Sequence, residues 1–273
     1  MAAPLDGIVL LTGASSGIGM AMARQLAGRS QVLVLVARRV ERLEALAAEL
    51  RAAHPKTTVD VRPADLGDTE AARTLAAAVE ADHGRIDALI NNAGLGQIGF
   101  FEQTDPRQLE LMLKVNVIGL SALTRAVLPG MLQRRHGGIL NVSSGFGLTW
   151  LPMFSAYVGT KHYVTAFTEC LRAELRGTGV SACQLCPGPV ATEFEEVADN
   201  KTGQKTPTWA EISAEKCAAV GLRGFDGNRA LTIPGLVAWL AITAGRLTPR
   251  PLARFIFSLA ARNMRNKLSA PAS

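Results

Sequence analysis

"TGASSGIG", Thr12 to Gly19, follows a short apolar run, Ile8–Leu11, and leads directly into a stretch of helical period. Its glycines, Gly13, Gly17 and Gly19, stand where a chain leaving a strand must turn tightly and then begin a helix. Glycine permits that turn and lets backbone approach a ligand closely, while a helix N-terminus offers unpaired N–H groups and a positive dipole end to a pyrophosphate. The strand before, the helix after and the place near the start of a βαβ unit select a dinucleotide site over a plain turn. Gly13, Ser15, Ser16, Gly17, Ile18 and Gly19 are the expected contacts of this loop.

Downstream, short apolar or β-branched runs alternate with longer Ala/Leu/charge-rich runs of helical period, with no repeat or low-complexity linker between them. Strands are predicted at Ile8–Leu11, Val32–Val36, Thr58–Arg62, Ala88–Ile90, Ile139–Val142, Ser181–Leu185 and Ala230–Ile233. Helices are predicted at Gly17–Ala27, Val40–Ala53, Thr69–His83, Pro106–Arg135, Ala156–Arg176 and Ser213–Phe225. Such alternation argues for βαβ units, and strands as continuously apolar as "VLVLV" fit burial on both faces. The expected fold is α/β, a doubly wound parallel seven-stranded sheet in one domain over residues 1–235, followed by a basic, apolar and helical extension, 236–273.

Composition agrees. With 273 residues, 48% hydrophobic and 19% charged, the chain can bury a large core and is too apolar for disorder. Four cysteines are too few for a disulfide framework, and the N-terminus lacks the charged region of a signal peptide, so a cytoplasmic location is expected. Cys183 and Cys186 form a C-x-x-C on a buried strand with no second pair and no neighbouring histidine, which reads as structural; no metal is expected. The net charge of +6 belongs to the tail: from Gly227 onward there are seven basic residues and no Asp or Glu. With no recognised motif or aromatic platform beside it, this charge carries no expectation of a nucleic-acid partner.

The end of the second strand, "VLVLVARRVERL", bears on which dinucleotide binds. A site for NAD places an acid there for the ribose 2′-hydroxyl, whereas a 2′-phosphate needs a cation. Ala37 occupies the acid's position and Arg38 follows, able to grip phosphate through two parallel charge-assisted bonds, so NADP(H) is expected. Arg39 either assists or pairs with Glu41 or Glu44 on the next helix. Farther on, Tyr157 and Lys161 lie one helical turn apart in "SAYVGTKHYV", a spacing that suits a catalytic pair and an ordinary solvated helix face alike.

That ambiguity ends when the motifs are taken in order. "TGASSGIG", "PADL" (Pro63–Leu66), "NNAG" (Asn91–Gly94), "KVNVIG" (Lys114–Gly119), "NVSS" (Asn141–Ser144), "YVGTK" (Tyr157–Lys161) and "PGPVAT" (Pro187–Thr192) together resemble the short-chain dehydrogenase/reductase family over Asp6 to Gly235, with Ser144 thirteen residues before Tyr157. The resemblance implies a Rossmann-type fold and catalysis by Asn116, Ser144, Tyr157 and Lys161. Hydride arriving at a carbonyl carbon leaves negative charge on oxygen, so a proton donor and a polarising hydrogen bond must wait there. Tyr157 inherits the first role and Ser144 the second. Lys161 inherits a bond to the nicotinamide ribose and, with the oxidised nicotinamide, is expected to lower the phenol's pKa. Asn116, at a local helix kink, is implied to hold a water beside the lysine. Asp65 and Leu66 are implied to border the adenine, Asn92, Ala93 and Gly94 the ribose side, and Pro187, Gly188, Val190 and Thr192 the nicotinamide. Lys114 and His162 need no catalytic task.

Around the reacting carbonyl the resemblance places Phe100, Phe101, Phe146, Leu148, Trp150, Leu151, Met153, Phe154 and the loop past Thr192. No Lys or Arg lies between Gly137 and Thr160 to meet an anion, so the expected substrate is a hydrophobic ketone, aldehyde or alcohol. The rivals are NADP-dependent oxidation of a secondary alcohol and a non-catalytic dinucleotide sensor or scaffold. The resemblance also implies a homo-oligomer, dimer or tetramer, paired through the long helices. In the tail, Leu236–Ala244 is too short to span a bilayer. From Pro251 to Lys267 apolar and basic residues interleave with helical period, as in a helix lying on an anionic membrane or packed on its own subunit.

Overall fold

The computed structural model describes residues 4–198, 200, 202 and 206–269, with the side chains of 267–269, and thus that of Lys267 in the expected basic stripe, outside the described residues. In chain order the elements are β1 (Ile8–Thr12), α1 (Gly17–Leu26), β2 (Val32–Ala37), α2 (Val40–Ala53), β3 (Thr58–Pro63), α3 (Thr69–His83), β4 (Ala88–Asn91) and α4 (Pro106–Leu113). A π-helical turn, Lys114–Gly119, joins α4 to α5 (Leu120–Gln133), followed by β5 (Gly137–Val142), α6 (Ser155–Glu174), β6 (Val180–Leu185), β7 (Val190–Ala191) and α7 (Phe194–Val197). The chain continues through β8 (Ile212–Ser213), α8 (Ala214–Asp226), β9 (Leu231–Thr232), α9 (Leu236–Leu247) and α10 (Arg250–Ser269).

Seven strands form one parallel sheet in the order β3-β2-β1-β4-β5-β6-β9. The chain winds outward from β1 to β3, crosses through α3, and winds the other way from β4. Neighbouring connections therefore diverge between β1 and β4, and a crevice opens at their carboxyl ends. Alternating side chains serve two cores. Val9, Leu11, Leu33 and Leu35 pack against α1, α2 and α8, whereas Ile8, Leu10, Val34 and Val36 face α3, α5 and α6. A strand with a layer of helices on each side has no solvent face, which is why "VLVLV" reads as continuously apolar.

Helix ends follow local chemistry. Asp68 caps α3 by accepting from Glu70 N, Gly84 closes it in the left-handed conformation at φ 84°, and Asp105 with Pro106 starts α4. Two expectations need correction. The single helix over Pro106–Arg135 is two helices with a π-turn at "KVNVIG". A two-stranded parallel ribbon, β7 with β8, also goes unpredicted, because two residues per strand carry no periodic signal. The described part of the tail forms two helices, and α9 packs tightly: a side chain on Gly188 would come within 2.5 Å of Ala238, and one on Gly145 within 2.8 Å of Ile242.

Candidate active site

At the carboxyl ends of β1 and β4 lies a cavity of about 920 Å³ walled by Gly13, Ser15, Ser16, Gly17, Ile18, Arg38, Asp65, Leu66, Asn92, Ala93, Gly94, Ser144, Tyr157, Lys161, Pro187, Gly188, Val190 and Thr192. The fold thus brings together fifteen expected cofactor positions, and three of the four catalytic ones, Ser144, Tyr157 and Lys161, join them on the same wall. Gly19 and Asn116 stand behind it. A Cβ on Gly19 would lie 2.2 Å from the Gly13 carbonyl, so this glycine permits α1 to close on the loop and does not itself face the cavity.

The phosphate end is built from unspoken-for backbone. Ser16, at the N-cap of α1, makes no side-chain capping bond and no acid stands in the first turn, leaving the helix's leading N–H groups and its dipole to an anion. Asn92 holds the loop's shape: its Nδ2 donates to the carbonyls of Thr12 at 3.0 Å and Gly13 at 3.2 Å. Thr12 Oγ1 in turn accepts from the N–H groups of Asn92 and Ala93, tying β1 to β4 across the crevice. These features fit a dinucleotide pyrophosphate, with Asp65 and Leu66 at the far wall.

At the rim the two arginines differ. Arg38 is exposed and makes no ion pair among the described residues. Arg39 does not pair with Glu41 or Glu44. Its Nε donates to Ser15 Oγ at 3.3 Å and its Nη1 to Glu193 at 3.2 Å, while Arg42 meets the same carboxylate at 2.7 Å. The two guanidiniums hold the Glu193 carboxyl below its ordinary pKa, with Arg42 the larger influence. Sequence reading missed Glu193 because 151 residues separate it from Arg42.

Tyr157 and Lys161 project from α6 toward the end of β5. Both are buried, and burial governs both: it pushes the Tyr157 phenol up to about 12 and the Lys161 amine down to about 8. A hydrogen bond with Ser144 opposes the rise of the phenol without cancelling it. Burial is the largest influence on both groups, whereas the lowering expected of Lys161 is one that it exerts together with the oxidised nicotinamide. Lys161 Nζ donates to the Val142 carbonyl at 3.0 Å and lies 5.8 Å from the centre of the Tyr157 ring. An uncharged phenol is the form in which Tyr157 can give a proton.

Asn116 sits inside the π-turn and is buried there. Its Nδ2 donates to the Leu95 carbonyl at 2.8 Å and to Thr160 Oγ1 at 3.0 Å, and its Oδ1 accepts from Leu95 N at 2.8 Å. Both amide protons are thus committed to protein, leaving one lone pair on Oδ1 for any water. Thr160 passes the link on by donating to the Tyr157 carbonyl at 2.7 Å. Asn116 accordingly positions the loop after β4 against the helix that carries Tyr157 and Lys161. Ser143, which like Ser144 lies beyond the end of β5 and lines the cavity, donates to the Lys161 carbonyl at 3.0 Å. Lys114 pairs with Glu110 and His162 with the Val158 carbonyl, both away from the cavity.

Of the side chains expected around a substrate, Phe146, Leu151, Met153 and Phe154 line the cavity. Phe100, Phe101, Leu148 and Trp150 do not; Phe100 lies under Arg265 and Trp150 packs on Phe257. The loop past Thr192 contributes Phe194, which sequence reading did not single out: its ring is 5.4 Å from Tyr157 and occupies the space that a side chain on Gly96 would need. Ala238, Ala241 and Ile242 of α9 complete the wall, so the tail beyond residue 235 takes part in the site.

Known proteins are similar to this chain in sequence and fold. The sequence pattern of the family described as short chain dehydrogenase matches residues 7–203. Dehydrogenase/reductase SDR family member 7B of Bos taurus is 33% identical over 262 residues, covering 91% of this chain and 81% of the relative. A short-chain dehydrogenase from Sphingobium yanoikuyae, solved in complex with NADPH, superposes with a TM-score of 0.78 at 33% identity, covering 88% of this chain and 93% of that one. A short-chain dehydrogenase/reductase from Burkholderia phymatum, solved in complex with NAD, also gives 0.78, at 26% identity over 88% and 92% of the two chains. Sheet order, glycine loop and Ser-Tyr-Lys cluster agree with these likenesses: the chain belongs to the short-chain dehydrogenase/reductase family of oxidoreductases that bind a nicotinamide dinucleotide.

Proposed function

We propose that this oxidoreductase uses NADPH to reduce a ketone or aldehyde on a hydrophobic substrate, with alcohol oxidation as the reverse. The observation that carries the reading is the buried Tyr157 phenol beside Ser144, on the apolar wall of the cavity that begins at the dinucleotide loop. When bound, the reduced nicotinamide supplies hydride. The chain's own residues do the rest. Ser144 donates a hydrogen bond to the carbonyl oxygen and polarises it, and Tyr157 delivers its proton to that oxygen as negative charge develops there. Lys161, with a pKa of about 8, is mainly an ammonium at neutral pH and favours the phenolate that remains. Phe146, Leu151, Met153, Phe154 and Phe194 exclude water and offer no cation to a carboxylate or phosphate. Arg38 beside Ala37, with no acid at the strand end, favours a 2′-phosphate.

A panel of ketones and aldehydes of graded size, followed by loss of reduced-cofactor absorbance with NADPH and with NADH, tests both halves. Turnover rising with apolar bulk and favouring NADPH is the expected result. Equal efficiency with NADH would overturn the cofactor assignment, and no turnover of any apolar carbonyl would overturn the reaction.

A further inference from the structure

The inner and outer faces of the two C-terminal helices have different surroundings. Inward, Ala238 and Ile242 of α9 are buried against the cavity wall, Ala253 of α10 is buried, and Phe257 packs on Trp150 at 4.6 Å. Outward, Leu236, Leu240 and Leu247 of α9 and Leu252, Phe255 and Leu259 of α10 are each between 50% and 78% exposed. They recur at helical spacing and so form one apolar ridge on each helix. Arg246, Arg250, Arg254 and Arg262 are exposed and make no ion pair among the described residues. By helical period Arg262 flanks the α10 ridge beside Phe255, and Arg254 lies about 80° farther round the helix. No Asp or Glu occurs anywhere from Gly227 to the end of the chain.

We propose that α9 and α10 dock this protein on an anionic lipid surface, with the apolar ridges in the acyl boundary and the four arginines at headgroup phosphates. The charge pattern selects this occupant. A second copy of the same face would set arginines against arginines, whereas an anionic bilayer satisfies cations and apolar ridges together. The twelve residues of α9 reach only about 18 Å, short of the ~30 Å hydrocarbon core, so the helix lies on the bilayer and does not cross it. Among the described residues, the one run long and apolar enough to cross, Pro106–Gln133, is in part core, with Leu123, Val127 and Met131 packed under the sheet. Because α9 walls the cavity on its inner face, docking sets the site at the lipid boundary, where apolar carbonyl compounds concentrate.

Co-sedimentation of the full chain with vesicles of phosphatidylcholine, alone or mixed with phosphatidylserine, tests this without any turnover. Docking and the reductase reading therefore stand or fall separately. Binding should require phosphatidylserine and weaken with salt. The Arg250→Ala/Arg254→Ala/Arg262→Ala variant should bind roughly a hundredfold more weakly, the combined worth of three arginines near an anionic surface. Leu240→Asp/Phe255→Asp should abolish sedimentation while NADPH binding, read by fluorescence, shows that the protein remains folded. No sedimentation of the full chain with phosphatidylserine vesicles, or undiminished sedimentation of both variants, would overturn the proposal. So would a dimer in ultracentrifugation that the aspartate variant dissociates and that binds no vesicle, which would assign the ridges to a second copy.

Discussion

Replacing Lys161 by methionine isolates the cost of burying a cation one helical turn from Tyr157. Lys161 is 6% exposed, and burial takes its pKa from 10.5 to about 8. Each pKa unit corresponds to about 1.4 kcal/mol, so the charged form is disfavoured in the folded state by about 3 kcal/mol. The sign follows from proton counting. Below about 8 both states carry the proton and the folded state bears the whole penalty; above 10.5 both are neutral and the penalty is gone. Between those values the unfolded chain binds more protons, so stability rises with pH. Methionine has similar length and no titration. It also removes the bond to Val142, worth about 1 kcal/mol at every pH, which offsets part of the relief near neutrality without changing the slope, so the slope is diagnostic. Urea unfolding of both proteins without cofactor, from about pH 7 to 10.5, should show wild type gaining about 3 kcal/mol on Lys161→Met. Tyr157 titrates with the opposite effect above 10.0, but it is present in both proteins and cancels to first order. A flat difference, or one that falls with pH, would refute the reasoning that burial governs this pair.

Four further outcomes are expected. Tyr157→Phe removes the proton donor and should lower kcat by about a hundred- to ten-thousandfold, while NADPH affinity measured by fluorescence changes little; normal turnover would sink the mechanism. Arg38→Ala should lower NADPH efficiency relative to NADH by about ten- to a hundredfold, the worth of hydrogen bonds to a charged group. Glu193→Gln frees Arg39 and Arg42 from a competing carboxylate and should raise the same ratio about two- to fivefold, the range of an exposed ion pair. An unchanged ratio in both variants would locate cofactor selection elsewhere. Gly19→Ala drives a Cβ into the Gly13 carbonyl and should cost about 1–3 kcal/mol in thermal unfolding, whereas Gly159→Ala meets nothing within 4 Å and should stabilise α6 by about 0.5–1 kcal/mol. Equal melting shifts for the two would contradict the packing assigned to Gly19.

The sequence by itself determined what depends on neighbours along the chain. Glycines at Gly13, Gly17 and Gly19 after an apolar strand, the turn between Tyr157 and Lys161, and the apolar strands were legible because backbone geometry and side-chain period are local properties. Only the tertiary structure decided what depends on meetings across it. The clamp of Arg39 and Arg42 on Glu193, the ring of Phe194 over Gly96, and the wall contributed by Ala238, Ala241 and Ile242 join segments that no spacing rule connects. The same holds for the charge state of the pair at the centre of the site. A tyrosine and a lysine at helical spacing specify proximity, but desolvation depends on everything packed around them. Here that burial prevails over their mutual influence, raising one pKa and lowering the other.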